Sequence, residues 1–204
     1  MAAFMTGILL ALSLILPLGV QNVFIFNQGA ASPRFAKALP AVVMAAICDT
    51  LLILLAVLGL SVAVFAVTWI KTVVLGVGVV FLLYMGYITW RSASSQREAG
   101  QEPVMLSARK QIAFAASVSL LNPHAILDTV GVIGTSSLHY TGLDKILFTV
   151  STIGVSWVWF FGLAAAGHYL GKLDTTGRWI SWINRVSAII IWGIAIYLLS
   201  LLIW

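Results

Sequence analysis

The chain has 204 residues, 61% of them hydrophobic and only 8% charged, with a mean hydropathy of +1.07. A soluble domain carries about 25% charged residues, so the composition excludes a protein that works in water, and no hydrophilic stretch is long enough for a second domain. Residues 1–204 read as a single transmembrane domain. The net charge of +5 does not mark a nucleic-acid surface, because the basic residues sit in short connections between apolar runs.

In chain order, six apolar runs stand out, at about 4–27, 38–60, 68–90, 111–137, 146–167 and 180–203. Each is long enough to cross a hydrocarbon core of ~30 Å. The first run has no basic residue before it, since the first Lys or Arg is Arg34, and it exceeds the core of a signal peptide. It is therefore expected to be a retained helix. Breaker residues separate the runs: Gly29, Pro33 and Pro40, then the polar stretch from Ser92 to Ser107, then Gly171 to Gly177. The lone Cys48 lies inside an apolar run, where packing is its expected role.

Nine of the eleven Lys and Arg residues (Arg34, Lys37, Arg91, Arg97, Arg109, Lys110, Lys172, Arg178 and Arg185) fall at the first, third and fifth connections. The other two are Lys71 and Lys145. The positive-inside rule then places the odd connections in the cytoplasm and both termini outside a bacterial inner membrane. Trp69, Trp90, Trp179, Trp182 and Trp204 fall near predicted span ends, as an interfacial belt does, whereas Trp157, Trp159 and Trp192 read as packing residues. Membrane lipid is the expected surroundings and nucleic acid is not an expected partner. The helix faces carrying Gly76 and Gly86 are compatible with a homodimer.

Residues 13–22 read SLILPLGVQN and residues 119–128 read SLLNPHAILD. Aligning Pro17 with Pro123 superposes Ser13 on Ser119 and Asn22 on Asp128. With three spans per half, the second copy enters from the opposite side, which predicts two inverted three-helix repeats, about 1–95 and 108–204. The fold class expected is an all-α membrane protein of six transmembrane helices, the first and fourth broken. Each proline removes a backbone donor, and a break of that kind is tolerated in hydrocarbon where it faces protein or a wet cavity.

Two acids lie within apolar runs, Asp49 and Asp128. An aspartate at mid-span costs roughly 2.5–3.5 kcal/mol on insertion scales, so both are candidate cation or proton sites. Around them fall Gln21, Asn22, Asn27 and Gln28 on the first run, and Asn122 and His124 on the fourth. Gln21 and Gln28 are two turns apart on one face, and Asp128 lies one turn beyond His124. There is no H-E-x-x-H, no C-x-x-C and no carboxylate cluster, so neither a metal nor any other cofactor is expected. No Ser has a base at recognisable spacing, so no catalytic constellation is complete and an enzyme is not expected.

The segments PLGVQNVFIFNQGA (Pro17 to Ala30), AICDTLLILLAVLG (Ala46 to Gly59) and SLLNPHAILDTVGVIG (Ser119 to Gly134) resemble the LysE family of amino-acid exporters. The Q-N pair and the N-P-H run resemble its lysine and arginine branch most closely. That branch usually has proline after Gly19, where this chain has Val20. The resemblance implies secondary active export of an amino acid, most simply L-arginine or L-lysine, coupled to a proton gradient or the membrane potential. It points to Pro17, Gln21, Asn22, Asp49, Asn122, Pro123 and Asp128; Gly19 joins Pro17 and Pro123 as a helix-break residue. Export of neutral amino acids or of a cation, and a membrane-embedded enzyme, are the alternatives. Alternating access is expected from rocking of one three-helix half against the other.

Overall fold

The computed structural model describes residues 1–17, 19–59, 68–99, 106–174 and 177–203. Trp204 lies outside the described residues, as do the side chains of Lys71, Arg97, Glu98, Pro123 and His124. Glu102, in the third connection, lies outside them too. Among the described residues the chain is helical, with no strand.

Helix α1 (Ala2–Ile15) and helix α2 (Val20–Ala31) form one bent pair, with an 80° change of direction at the break. A 3-10 turn at Phe35–Lys37 leads into α3 (Leu39–Val57), whose Pro40 sits in the first turn, where its missing N–H costs nothing. Helix α4 (Thr68–Ala99) is followed by α5 (Ala108–Leu120). After a second break comes α6, which begins as Pro123–Asp128, widens into a π-helical Thr129–Gly134 and ends in Thr135–Ser137. The bend between α5 and α6 is 58°. Helices α7 (Gly142–Leu173) and α8 (Arg178–Ile203) complete the chain.

Among the described residues, four helices are long and apolar enough to cross a membrane, and up to six spans result if each bent pair counts as one. Their outer faces carry Val77, Val80, Val158, Ile189 and Ile196, each more than half exposed. A band of that size is untenable in water and is what lipid requires. Trp69, Trp179 and Trp182 are also exposed near helix ends, in keeping with an interfacial belt.

The break positions match the sequence reading, but the prolines serve the breaks differently. Pro17 lies within the first break, and its carbonyl accepts from Gly19 N–H at 2.7 Å. Pro123 is the first residue of α6, a position that proline suits. Val20 is the corresponding first residue of α2. A side chain other than proline is equally at home there, so the departure from the family pattern leaves the first break intact.

Two helices run further than hydropathy suggested. Helix α4 continues to Ala99 through residues read as a connection, and α7 passes Gly171 before Gly177 turns the chain at φ 65°. Arg91 and Lys172 are thus on helical ends rather than in loops. Those ends gather at one side of the molecule. There His168 Nδ1–H donates to the Ser32 carbonyl at 2.9 Å, and Ser181 Oγ donates to the Ala93 carbonyl at 2.7 Å. Buried Gln111 binds the Lys37 and Leu106 carbonyls and accepts from Ala41 N–H.

The packing divides the helices in an unexpected way. Both α1 and α2 lie along α7, while α3 packs on α5, α7 and the π-helical turn. Close approach along α7 depends on glycine: a Cβ at Gly167 would collide with the Phe26 carbonyl, and one at Gly29 with the backbone of Ala164. Elements of the first and second halves of the chain therefore pack directly on one another along α7. Helices α4 and α8 instead pack along each other, with Gly86 lying under the Trp192 ring. This pair meets the rest through an apolar cluster built on Val20, Leu82, Val118 and Ile191.

Candidate functional site

The two breaks open on one cavity of about 110 Å³. A water needs roughly 10–15 Å³ of such space, so the cavity has room for several waters or a small polar solute. Pro17, Gly19, Gln21 and Asn22 line it from the first pair, Asp49 from α3, and Asn122 and Asp128 from the second pair. Thr129, Thr152 and Ser156 add hydroxyls, while Leu82 of α4 and Ile191 of α8 form apolar wall.

The first break is held open by one side chain. Pro17 and the turn after it leave carbonyls without their helical donors. Asn22 Nδ2 supplies the replacement, donating to the Ile15 carbonyl at 2.7 Å and the Pro17 carbonyl at 2.9 Å. Its Oδ1 accepts from Trp159 Nε1 at 3.2 Å. Both ends of a buried amide are thereby fixed, and the start of α2 is pinned to α7. Gly19, at the N-cap of α2, contributes no side chain, so the first N–H groups of that helix face the cavity without a side-chain cap.

Asp49 is reached from two helices. Gln21 Nε2 donates to its Oδ1 at 3.2 Å, and Ser156 of α7 places its hydroxyl beside the same carboxylate. At the next residue of each helix, Trp157 Nε1 donates to Thr50 Oγ1 at 3.0 Å, a second tie between α3 and α7. The acid thus sits in a polar setting supplied by the break and by α7, which lowers the cost of holding it at mid-span.

Asp128 enters from α6 immediately before the π-helical turn, a distortion that often marks functional positions. The wide turn brings Val130, Ile133 and Gly134 to a buried position, Gly134 against the backbone of Ala56. Asn122, buried at the second break, offers its carbonyl to Ile126 N–H at 3.2 Å.

Seven expected residues thus come together: Pro17, Gly19, Gln21, Asn22, Asp49, Asn122 and Asp128. Pro123 is placed by its backbone only, and the side chain of His124 lies outside the described residues. Asn27 and Gln28 lie outside the cavity wall: Asn27 binds Asn184, and Gln28 Oε1 accepts from Leu106 N–H. Trp157 and Trp159, read as packing residues, do pack against the core cluster around Phe24 and Phe160, and they hold polar partners as well. Thr152 was not singled out and Ser156 was weighed only as a nucleophile lacking a base, although hydroxyls recurring at 149, 152 and 156 along an apolar span, all buried, were a readable sign.

The chain has close relatives over nearly its whole length. A family described as "LysE type translocator" matches residues 12–201. The protein named "Putative amino-acid transporter YisU" of Bacillus subtilis (strain 168) is 54% identical over 199 residues, covering 97% of this chain and 89% of its own. The "Arginine exporter protein ArgO" of Escherichia coli (strain K12) is 35% identical over 197 residues, with 96% and 92% covered. No solved structure matches. Family match, relatives and a polar cavity between two broken apolar helices agree, and the chain belongs to the LysE family of translocators.

Proposed function

We propose that this protein exports an amino acid, with L-arginine or L-lysine as the first candidates, from the cytoplasm across a bacterial inner membrane. The observation that carries the proposal is the placing of Asp49 and Asp128 on the wall of one cavity together with the amides of Gln21, Asn22 and Asn122. Carboxylates held among neutral polar groups suit a cationic amino group or side chain. The uncapped start of α2 suits the substrate carboxylate, since N–H groups and the helix dipole both favour an anion there. The name of the arginine exporter relative points the same way.

In this reading each bent pair is one span, the two halves are inverted repeats, and both termini lie outside. The proton gradient or the membrane potential drives the step, and the two acids divide substrate binding and coupling between them. The close packing of α1, α2 and α3 along α7 supports a motion in which the α4–α8 pair swings against the other helices, with the cavity at the seam.

Purified protein in liposomes loaded with labelled amino acids tests this. The expected result is saturable efflux of arginine or lysine, at least tenfold above that of threonine or leucine. Movement of a neutral amino acid alone would retire the substrate assignment, and no amino-acid flux under any imposed gradient would overturn the proposal.

A further inference from the structure

Helices α2 and α8 run antiparallel across the seam between the α4–α8 pair and the other helices. Val20 and Ile191 belong to one apolar cluster and line the cavity. Seven residues along each helix, two turns or about 10 Å towards the basic end, the same faces carry Asn27 and Asn184. Asn27 Nδ2 donates to Asn184 Oδ1 at 2.7 Å. Ser187 falls between, one turn from Asn184 and one from Ile191, and both Asn184 and Ser187 are fully buried.

Three polar atoms in this stretch have no partner: Asn27 Oδ1, Asn184 Nδ2 and Ser187 Oγ. A buried donor or acceptor left unmade is costly, and an apolar residue of similar shape avoids that cost. Asparagine on both helices is therefore a poor choice for permanent packing. It is a good choice for a seam that opens, because opening supplies the missing partners. The lining is neutral and offers both donors and acceptors, so a zwitterion could be passed along it without being trapped by a fixed charge.

We infer that the α2–α8 seam is the route by which substrate reaches the cavity from the basic-loop side, with Asn27, Asn184 and Ser187 as a transient binding station for the amino and carboxylate groups of an amino acid. The Asn27–Asn184 bond closes that route in the present conformation. The inference rests on the export reading for its ligand, but its geometry does not depend on which amino acid moves.

Thiol accessibility separates the two. In a Cys48→Ala background, Asn184→Cys and Ser187→Cys are exposed to a water-soluble methanethiosulfonate from the basic-loop side, with Ile189→Cys on the lipid face of the same helix as control. The station predicts labelling of the first two at least tenfold faster than of the control, slowed several-fold by saturating L-arginine. Asn184→Leu should fold with unchanged or raised Tm, yet lose about tenfold in efflux. Labelling no faster than the control, or Asn184→Leu with full efflux, overturns the route even if amino-acid export is established. Fast labelling without any amino-acid flux retires the amino acid as the ligand and leaves a water-filled route.

Discussion

Trp159 Nε1 donates to Asn22 Oδ1 at 3.2 Å, while the amide nitrogen of the same Asn22 holds the carbonyls of Ile15 and Pro17. One residue of α2 therefore holds the carbonyls of the break behind it and fastens the break to α7. Substitution of Asn22 by alanine leaves the Ile15 carbonyl and the Trp159 N–H short of partners. Each such loss costs about 1–3 kcal/mol when buried, so a total of about 2–4 kcal/mol and a clear drop in Tm in detergent are expected. Trp159→Phe removes the indole N–H but leaves Asn22 on its carbonyls, and should cost less. Equal Tm for Asn22→Ala and the parent would show that the break is held by something else.

The crossing of α2 on α7 gives a steric prediction. Gly167 faces the Phe26 carbonyl, whereas Gly162 on the same helix has open space around it. Gly167→Val should force the helices apart, costing about 1–3 kcal/mol and lowering the yield of monodisperse protein. Gly162→Ala should be neutral or slightly stabilising, given a helix-propensity gain of up to about 1 kcal/mol. Size-exclusion profiles and thermal denaturation of the two variants decide the matter.

Orientation can be read by surface labelling. Arg34 and Lys172 are exposed at the end that gathers the basic residues, while Leu143, 71% exposed, opens α7 at its other end. Cys48 is buried and should stay silent. Arg34→Cys and Lys172→Cys should react with an impermeant maleimide only after the cells are opened, and Leu143→Cys in intact cells. The reverse pattern would invert the topology and make the proposed route an exit.

Much of this architecture was legible in the sequence, because breaks and buried charges are local signals. Pro17 and Pro123 interrupt apolar runs, and Asp49 and Asp128 are conspicuous in hydrocarbon, so both breaks and most of the polar lining of the cavity could be named. The extension of α4 to Ala99 was missed because polarity was read as loop, although Arg91, Gln96 and Ala99 are strong helix formers. The π-helical turn after Asp128 leaves no periodic mark in six residues. Ser156 and Trp159 matter through partners on other helices, and such pairings are set by tertiary packing. The packing of the two halves on one another is of the same kind: it follows from which helices α7 touches, and hydropathy carries no record of that.

Efflux of labelled arginine and lysine by Asp49→Asn, beside Asp49→Glu and the parent protein in matched liposomes, tests the central claim most directly. The carboxylate that accepts from Gln21 at the wall of the cavity should be indispensable. Asp49→Asn is expected to insert and fold with a Tm close to the parent, yet to lose efflux by about a hundredfold, on the order of 3 kcal/mol, with partial recovery in Asp49→Glu. Full efflux by folded Asp49→Asn would contradict the assignment of this cavity as the place where substrate is bound and moved.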